Sequence, residues 1–488
     1  VSLKDKVASA LKELENEGIA YYDPEYEVYR TMPSNYFVTT AEVTRKNFYI
    51  VNFNGITYTL PYENTSGILP FDKVLLKKEK KNISLVKIIK RANPEIVCEV
   101  LEDGNIKMVG NTNIKIKCTD KEFLKLKLPV GTRFLGKISA EKHNDYYDIN
   151  FVEVLGHKND VNAELEAINY NNGFKVRYSK EEIDQVYGLP TEVTEEDKKG
   201  RVDLTDENIV TIDGAHTKDM DDAVGITKKP NGNYLLKVSI SHVSRYIKYN
   251  SPLFMRACHN TTSVYLIDSV NHMLHPQISN GICSLNPNVE RLTKTYQIEI
   301  NPKGEIVDFT FFDSVIKSKK KMTYEDCNEI FENNVVPDGY EPFVNDLLLM
   351  QELAQIIENR RKENGALDFG NSEIEFILDD DGTILDVTHR HQGPAEKLIE
   401  NFMVVTNEAL AEYMYNLGIE FVYRNHEIPY DDKVKEVVVE DVREREFKGV
   451  GGQIRNAGDK AQGKHQQEQR TDDVRKGGKE VGLYFLFK

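Results

Sequence analysis

The sequence predicts a multidomain chain in which small all-β modules precede a larger mixed α+β domain. Three observations lead there. At 488 residues the chain exceeds what one core usually serves and suffices for about three or four domains. Short alternating apolar segments, separated by turn residues, fill residues 36 to 155. Beyond residue 209 the pattern changes to strands at 234–240 and 295–300 and long helices at about 340–362 and 395–416.

Taken in order, Leu3, Val7, Leu11 and Leu14 recur at helical spacing, with Ser2 as N-cap and Gly18 as stop. Residues 19–29 then alternate aromatic and polar side chains around Asp23-Pro24, as a hairpin would. One helix and a hairpin are too little to fold alone. Residues 1–32 therefore read as the last helix and wing of a winged-helix unit whose beginning is absent. The non-methionine start fits a fragment, and a valine written for an alternative start codon fits equally.

Segments 37–43, 48–53, 56–60, 74–76 and 85–89, with Asn54-Gly55 as a turn, give a first small β-barrel over 35–92. A second follows over 94–156, with an Asp103-Gly104 turn and a final strand at 147–154. This region carries Lys77, Lys78, Lys80 and Lys81, and Phe48, Tyr49 and Tyr58 alternate with polar positions, an interleaving of charge and rings that suits single-stranded nucleic acid. The same residues read equally well as a solvated hairpin face over barrel core. Residues 157–208 are polar and acidic, a connector with a helix at 180–187.

Composition narrows the function classes. No apolar run approaches the ~18 residues of a membrane span, and no signal peptide opens the chain, so a cytoplasmic address is expected. Cys98, Cys118, Cys258, Cys283 and Cys327 are scattered and never form a Cys-x-x-Cys pair, which favours reduced core thiols over disulfides or a zinc knuckle. A net charge of −16 argues against a nonspecific DNA-coating protein but allows a nucleic-acid enzyme with a local basic path.

The most informative stretch is residues 209–224. A β-branched run ending at Ile212 delivers Asp213 to a glycine turn, and Asp219, Asp221 and Asp222 follow before apolar residues resume at Ala223. Four carboxylates this close repel one another unless something positive neutralises them, and a hard divalent cation such as Mg²⁺ is the natural counter-charge. Solvated acidic turns are common, but strand-like flanks on both sides should hold these acids at the edge of a core, where unpaired charge is expensive. An EF-hand fails, since no glycine stands at the sixth loop position and no glutamate at the twelfth. Lys317, Lys319, Lys320 and Lys321, immediately before Tyr324, form the densest basic run and suit phosphate contacts.

Further motifs are Gly200-Arg201-Val202-Asp203-Leu204, Thr262-Ser263-Val264-Tyr265-Leu266, Cys283-Ser284-Leu285-Asn286-Pro287, Arg291-Leu292-Thr293, Gly365-Ala366-Leu367-Asp368-Phe369, Glu396-Lys397-Leu398-Ile399-Glu400 and Tyr423-Arg424-Asn425-His426-Glu427. With these the sequence resembles the RNB-type exoribonucleases, the ribonuclease R and ribonuclease II family, over residues 1 to about 430. The resemblance implies two cold-shock (OB-type) barrels and an RNB catalytic domain at 209–440. It also implies hydrolytic, Mg²⁺-dependent 3′-to-5′ degradation of single-stranded or structured RNA to 5′-mononucleotides, with no obligate protein partner. Asp213, Asp219, Asp221 and Asp222 would bind two Mg²⁺ ions and activate water, Asp221 mattering most. Tyr265 and Phe369 would stack terminal bases, and Tyr324 and Glu400 would hold nucleotides nearest the scissile bond. Read without the resemblance, Tyr265 and Phe369 are core rings and Glu400 a surface carboxylate. His242 stands where the family usually carries an Asp.

After Pro429 the resemblance fades. The C-terminal part of the catalytic domain, including a phosphate-binding arginine, is not found, and residues 441–488 are rich in Gly, Gln, Lys and Arg, a composition expected to be disordered. A frame-shifted or prematurely terminated reading would explain the change. Two functions stay open: an active exoribonuclease, or a catalytically impaired RNA-binding fragment of one.

Overall fold

The computed structural model describes residues 3–424, except 24–25, 45–47, 61–64, 66, 81, 111–113, 267–268, 367–371 and 380–383. The stretch 441–488 lies outside the described residues. The chain divides into two compact units, Val1–Ser179 with Arg256–Leu266, and Lys180–Met255 with Ile267–Lys488. No helix among the described residues is long and apolar enough to cross a membrane, and all five cysteines are free thiols.

In the first unit the helix Leu3–Asn16 is followed by a hairpin, Ala20–Asp23 against Val28–Thr31. In its last turn Glu15 accepts from the Tyr22 amide (2.9 Å) and pairs with Lys87, whereas Leu3 and Val7 in the first turns are 78% and 50% exposed. Next come two three-stranded sheets. One orders Tyr36–Thr40, Lys73–Glu79, Asn82–Lys90, the other Glu42–Val43, Tyr49–Phe53, Ile56–Thr59. A five-stranded sheet follows, in the order Ile106–Met108, Glu95–Val100, Thr132–His143, Tyr146–His157, Ile116–Cys118, antiparallel except for the last pair. Strand alternation sends Phe37, Leu76, Phe134 and Ile149 inward, so the two sets of strands share one apolar cluster. Between them Arg91 and Asp72 form a buried ion pair (Nη1 to Oδ2, 2.6 Å).

The region read as a connector is more ordered than its polarity suggests. A helix forms over Val161–Asn171, capped by the Asp160 carboxylate, which accepts from the Asn162 amide at 3.0 Å. Its Ala167 and Tyr170 pack on Val97 and Leu135. The spacing of Ala163, Ala167 and Tyr170 is the helical signal that composition obscures.

The second unit is built on a five-stranded sheet ordered Val202–Leu204, Ile306–Lys317, Glu290–Ile300, Tyr234–Ser241, Asp222–Lys228. Only the edge strand Val202–Leu204 runs parallel to its neighbour. Leu236 and Val238 face the helices Val344–Glu363 and Pro394–Asn416, which contribute Leu347, Leu353, Phe402 and Val405 to the same core. Neighbouring positions carry a buried hydroxyl chain: Ser239 to Thr295 at 2.7 Å, Thr295 to Ser314 at 2.7 Å and Thr293 to Ser314 at 2.8 Å. Each hydroxyl thereby has a partner in a place water does not reach.

Candidate active site

The buried residues Ile209, Val210, Thr211 and Ile212 lead the chain to the acidic stretch. Val210 and Val224 exchange both backbone hydrogen bonds (3.0 and 2.8 Å), so Asp213 and Asp221, three residues to either side of this bridge, leave it from the same end. Thr211–Asp213 also pairs parallel with Lys321–Thr323, placing Asp213 opposite Thr323 and beside Tyr324. Asp222 opens the strand Asp222–Lys228 opposite Ile240, and the Asp221 carbonyl accepts from the Ser241 amide at 2.9 Å. All four aspartates are half-buried, with the core residue Met220 between Asp219 and Asp221.

Lys321 of the basic run braces this loop. The Lys321 ammonium donates to the carbonyls of Ala215 (3.1 Å) and Thr217 (2.6 Å), inside the turn that follows Asp213. Lys319 donates to the Thr205 carbonyl at 2.7 Å, and Lys320 sits 4.5 Å from the centre of the Tyr340 ring. Tyr340 escaped sequence reading, yet its hydroxyl donates to Asp326 (2.7 Å) and accepts from the Thr323 amide (3.1 Å), fixing the start of the helix Tyr324–Asn328. Tyr324 is half-buried against the main core. Glu400 is exposed on Pro394–Asn416, its carboxylate 3.5 Å from Arg361. Tyr265, 57% exposed in Val264–Tyr265, belongs to the first unit, and Phe369 lies outside the described residues.

Under the acids lies Cys283, whose thiol is pushed up to about 12 by burial, with the Asp221 carboxylate adding to the shift. It is an inert core thiol rather than a nucleophile. Beside Ser241, His242 is lowered to about 4, first by burial and then by the nearby guanidinium of Arg201, with Asp313 opposing. Arg201 Nη2 stands 3.0 Å from His242 Nδ1 and can only donate, so that nitrogen accepts and the ring is neutral. Since the folded state binds this proton less readily than the unfolded chain, its contribution to stability is complete above pH 6.5 and falls as pH drops towards 4. The expected loss is on the order of 2–3 kcal/mol. Urea unfolding of the His242→Gln variant at pH 7 and pH 4.5 should show a correspondingly smaller pH dependence than the unaltered chain, and equal slopes would refute it.

The donor set suits a hard cation, because it offers carboxylate oxygens alone. Among the described residues no three His, Cys, Asp or Glu side chains stand together as a group that could hold a metal ion. Mg²⁺ does not require three: it keeps several waters and is commonly held through one or two carboxylates together with substrate phosphates.

Comparison with known proteins fits this arrangement. The chain is 35% identical over 442 residues to ribonuclease R of Thermotoga maritima, covering 87% of this chain and 62% of that protein. It is 34% identical over 365 residues to ribonuclease R 1 of Lactococcus lactis, covering 74% of this chain and 42% of that one. The chain thus spans between two fifths and two thirds of the length of these relatives. Among solved structures, Mycoplasma genitalium RNase R in complex with ribose-methylated single-stranded RNA superposes with a TM-score of 0.72 at 26% identity, covering 86% of this chain and 68% of that one. Yeast Ssd1, a pseudonuclease, shares the fold with a TM-score of 0.58 at 15% identity, covering 78% of this chain and 55% of that one. The RNB domain family matches residues 201–474, a span that contains all four aspartates and both long helices, and the chain belongs to the RNB family.

Proposed function

We propose that this chain is a hydrolytic, Mg²⁺-dependent 3′-to-5′ exoribonuclease that shortens single-stranded or structured RNA to 5′-mononucleotides in the cytoplasm. The observation that carries the reading is the joint placement of Asp213 and Asp221 at one end of the Val210–Val224 bridge, with Asp222 on the adjoining strand and Tyr324 opening the helix that follows the Lys321–Thr323 strand, inside the RNB match. Asp213, Asp219, Asp221 and Asp222 would hold the metal, in a two-ion arrangement. When bound, Mg²⁺ supplies a lowered pKa for the attacking water and charge neutralisation at the reacting phosphate. Tyr324 and Glu400 would hold the nucleotides nearest the scissile bond, and Tyr265 and Phe369 would offer sequence-tolerant stacking to terminal bases. Lys319, Lys320 and Lys321 would serve the phosphates by their charge, Lys321 also by bracing the loop that follows Asp213. The first unit, read as a partial winged helix and two OB-type barrels, would deliver single strands. Lys78, which donates to the Tyr58 hydroxyl at 2.7 Å and lies 4.5 Å from that ring, is one element of such a path. RNA bound to Mycoplasma genitalium RNase R, as single and as double strands, supports an RNA substrate here.

A second reading is an RNA-binding chain that does not cut, for which the Lys78–Tyr58 pair of the first unit would supply part of the RNA contact. Incubation with 3′-labelled single-stranded RNA separates the two. The enzyme releases labelled mononucleotide with Mg²⁺ and none with EDTA, whereas the binding chain retards the RNA in a gel and leaves it intact.

A further inference from the structure

Below the acidic loop a buried serine holds the backbone from which the aspartates project. The Ser284 side chain is fully buried, and its hydroxyl donates to the Lys218 carbonyl (2.7 Å) while accepting from the Met220 amide (3.2 Å). The next residue continues the clamp, the Leu285 amide donating to the Met220 carbonyl at 2.9 Å. Ser284 is in turn fixed by the guanidinium of buried Arg291, whose Nε donates to the Ser284 carbonyl (2.8 Å) and whose Nη2 donates to the Gly281 carbonyl (3.2 Å). With the Ser241 amide on the Asp221 carbonyl, the stretch 218–221 is tied at four backbone atoms, and its positions 219 and 221 carry the acids.

Two of these four backbone atoms, the Lys218 carbonyl and the Met220 amide, are served by one hydroxyl used in both directions, and that hydroxyl spans the residues on either side of Asp219. Loss of the hydroxyl leaves the buried Met220 amide and the Lys218 carbonyl without this partner at the point where carboxylate spacing is set. Main-chain slack there changes the distance between Asp219 and Asp221 directly, and productive sites tolerate only about 0.5 Å of such error.

We propose that Ser284, backed by Arg291, is a positioning residue that sets the spacing of Asp219 and Asp221 for the divalent cation. The proposal rests on the reading of the four aspartates as metal ligands. The test is Mn²⁺ titration of the full chain followed by water-proton relaxation, far below the melting temperature and without RNA. In Ser284→Ala, which removes both hydroxyl hydrogen bonds, the half-saturating Mn²⁺ concentration should rise about tenfold. Metal-free RNA binding should stay unchanged, and Ser284→Cys, which keeps the volume and a weak donor, should fall between the two. Equal Mn²⁺ affinity in the unaltered and Ala chains overturns the positioning role alone. Absence of Mn²⁺ binding by the unaltered chain overturns the metal reading and the proposal together. Should the Ala chain fail to fold, Ser284→Cys carries the comparison, alongside hydrogen exchange of the Met220 amide in the unaltered chain. A Met220 amide exchanging at the rate of an unstructured one overturns the proposal.

Discussion

Asp221→Asn will lower nucleotide release by on the order of 10²–10³-fold while leaving RNA affinity within about twofold. The amide keeps the shape and hydrogen-bonding capacity of the carboxylate and removes its charge. The Asp221 main chain stays tied to the Ser241 amide and the neighbouring Met220 stays in the core, so the loop geometry survives the exchange. What is lost is the negative charge that, on the proposed reading, would attract the cation at the end of the Val210–Val224 bridge. Asp206→Asn, on an exposed residue outside the acidic stretch, is the control and should cut like the unaltered chain. The measurement is single-turnover release of 3′-terminal mononucleotide at saturating Mg²⁺, paired with a binding curve in EDTA. Undiminished release in Asp221→Asn would remove this residue from the chemistry.

The acids themselves were legible because their signal is local. A buried β-branched run, a glycine turn and three further aspartates occupy one short stretch, and the strands on both sides form where alternation predicts them. The helix predicted over 395–416 forms over Pro394–Asn416 for the same reason, since its apolar positions recur at helical spacing. What surrounds the acids was hidden because it comes from far along the chain. Parallel pairing of Thr211–Asp213 with Lys321–Thr323 joins residues 110 positions apart, and Ser284 reaches back 66 positions to Lys218. Periodicity carries no information on such pairings. The lysine run shows the same limit: composition marks it as basic, whereas only the fold reveals that Lys319 and Lys321 spend their donors on loop carbonyls. A residue's charge is readable from sequence, but its partner is a property of topology.

Arg91→Ala will destabilise the first unit by about 3–5 kcal/mol, the usual cost of leaving one member of a buried ion pair behind. Arg91 and Asp72 have side chains 3% and 0% exposed. The guanidinium also donates to the carbonyls of Gly67 (2.6 Å) and Ser139 (3.1 Å) and lies 4.7 Å from the centre of the Tyr147 ring, so it joins the first set of strands to the second. Tyr147 packs so closely over Gly67, which has φ +96°, that a Cβ there would come within 2.2 Å of the phenol oxygen. Asp72 keeps two backbone donors after the substitution, the amides of Leu69 (2.9 Å) and Ala92 (3.1 Å), but loses its counter-charge. Burial already holds its pKa above the ordinary value, and Arg91 is the largest influence pulling it down. Removing Arg91 therefore raises it further. A carboxyl whose folded pKa exceeds its unfolded one takes up a proton on folding, so its penalty is greatest above the folded pKa and fades as pH falls through it. The deficit of Arg91→Ala against the unaltered chain, measured by urea unfolding of the first-unit transition, should thus be largest near pH 7 and smaller near pH 4. Asp72→Asn combined with Arg91→Met should cost less than the sum of the two single changes, because no uncompensated charge remains. A deficit independent of pH, with strictly additive single changes, would show that Arg91 stabilises by packing on Tyr147 and not by its charge.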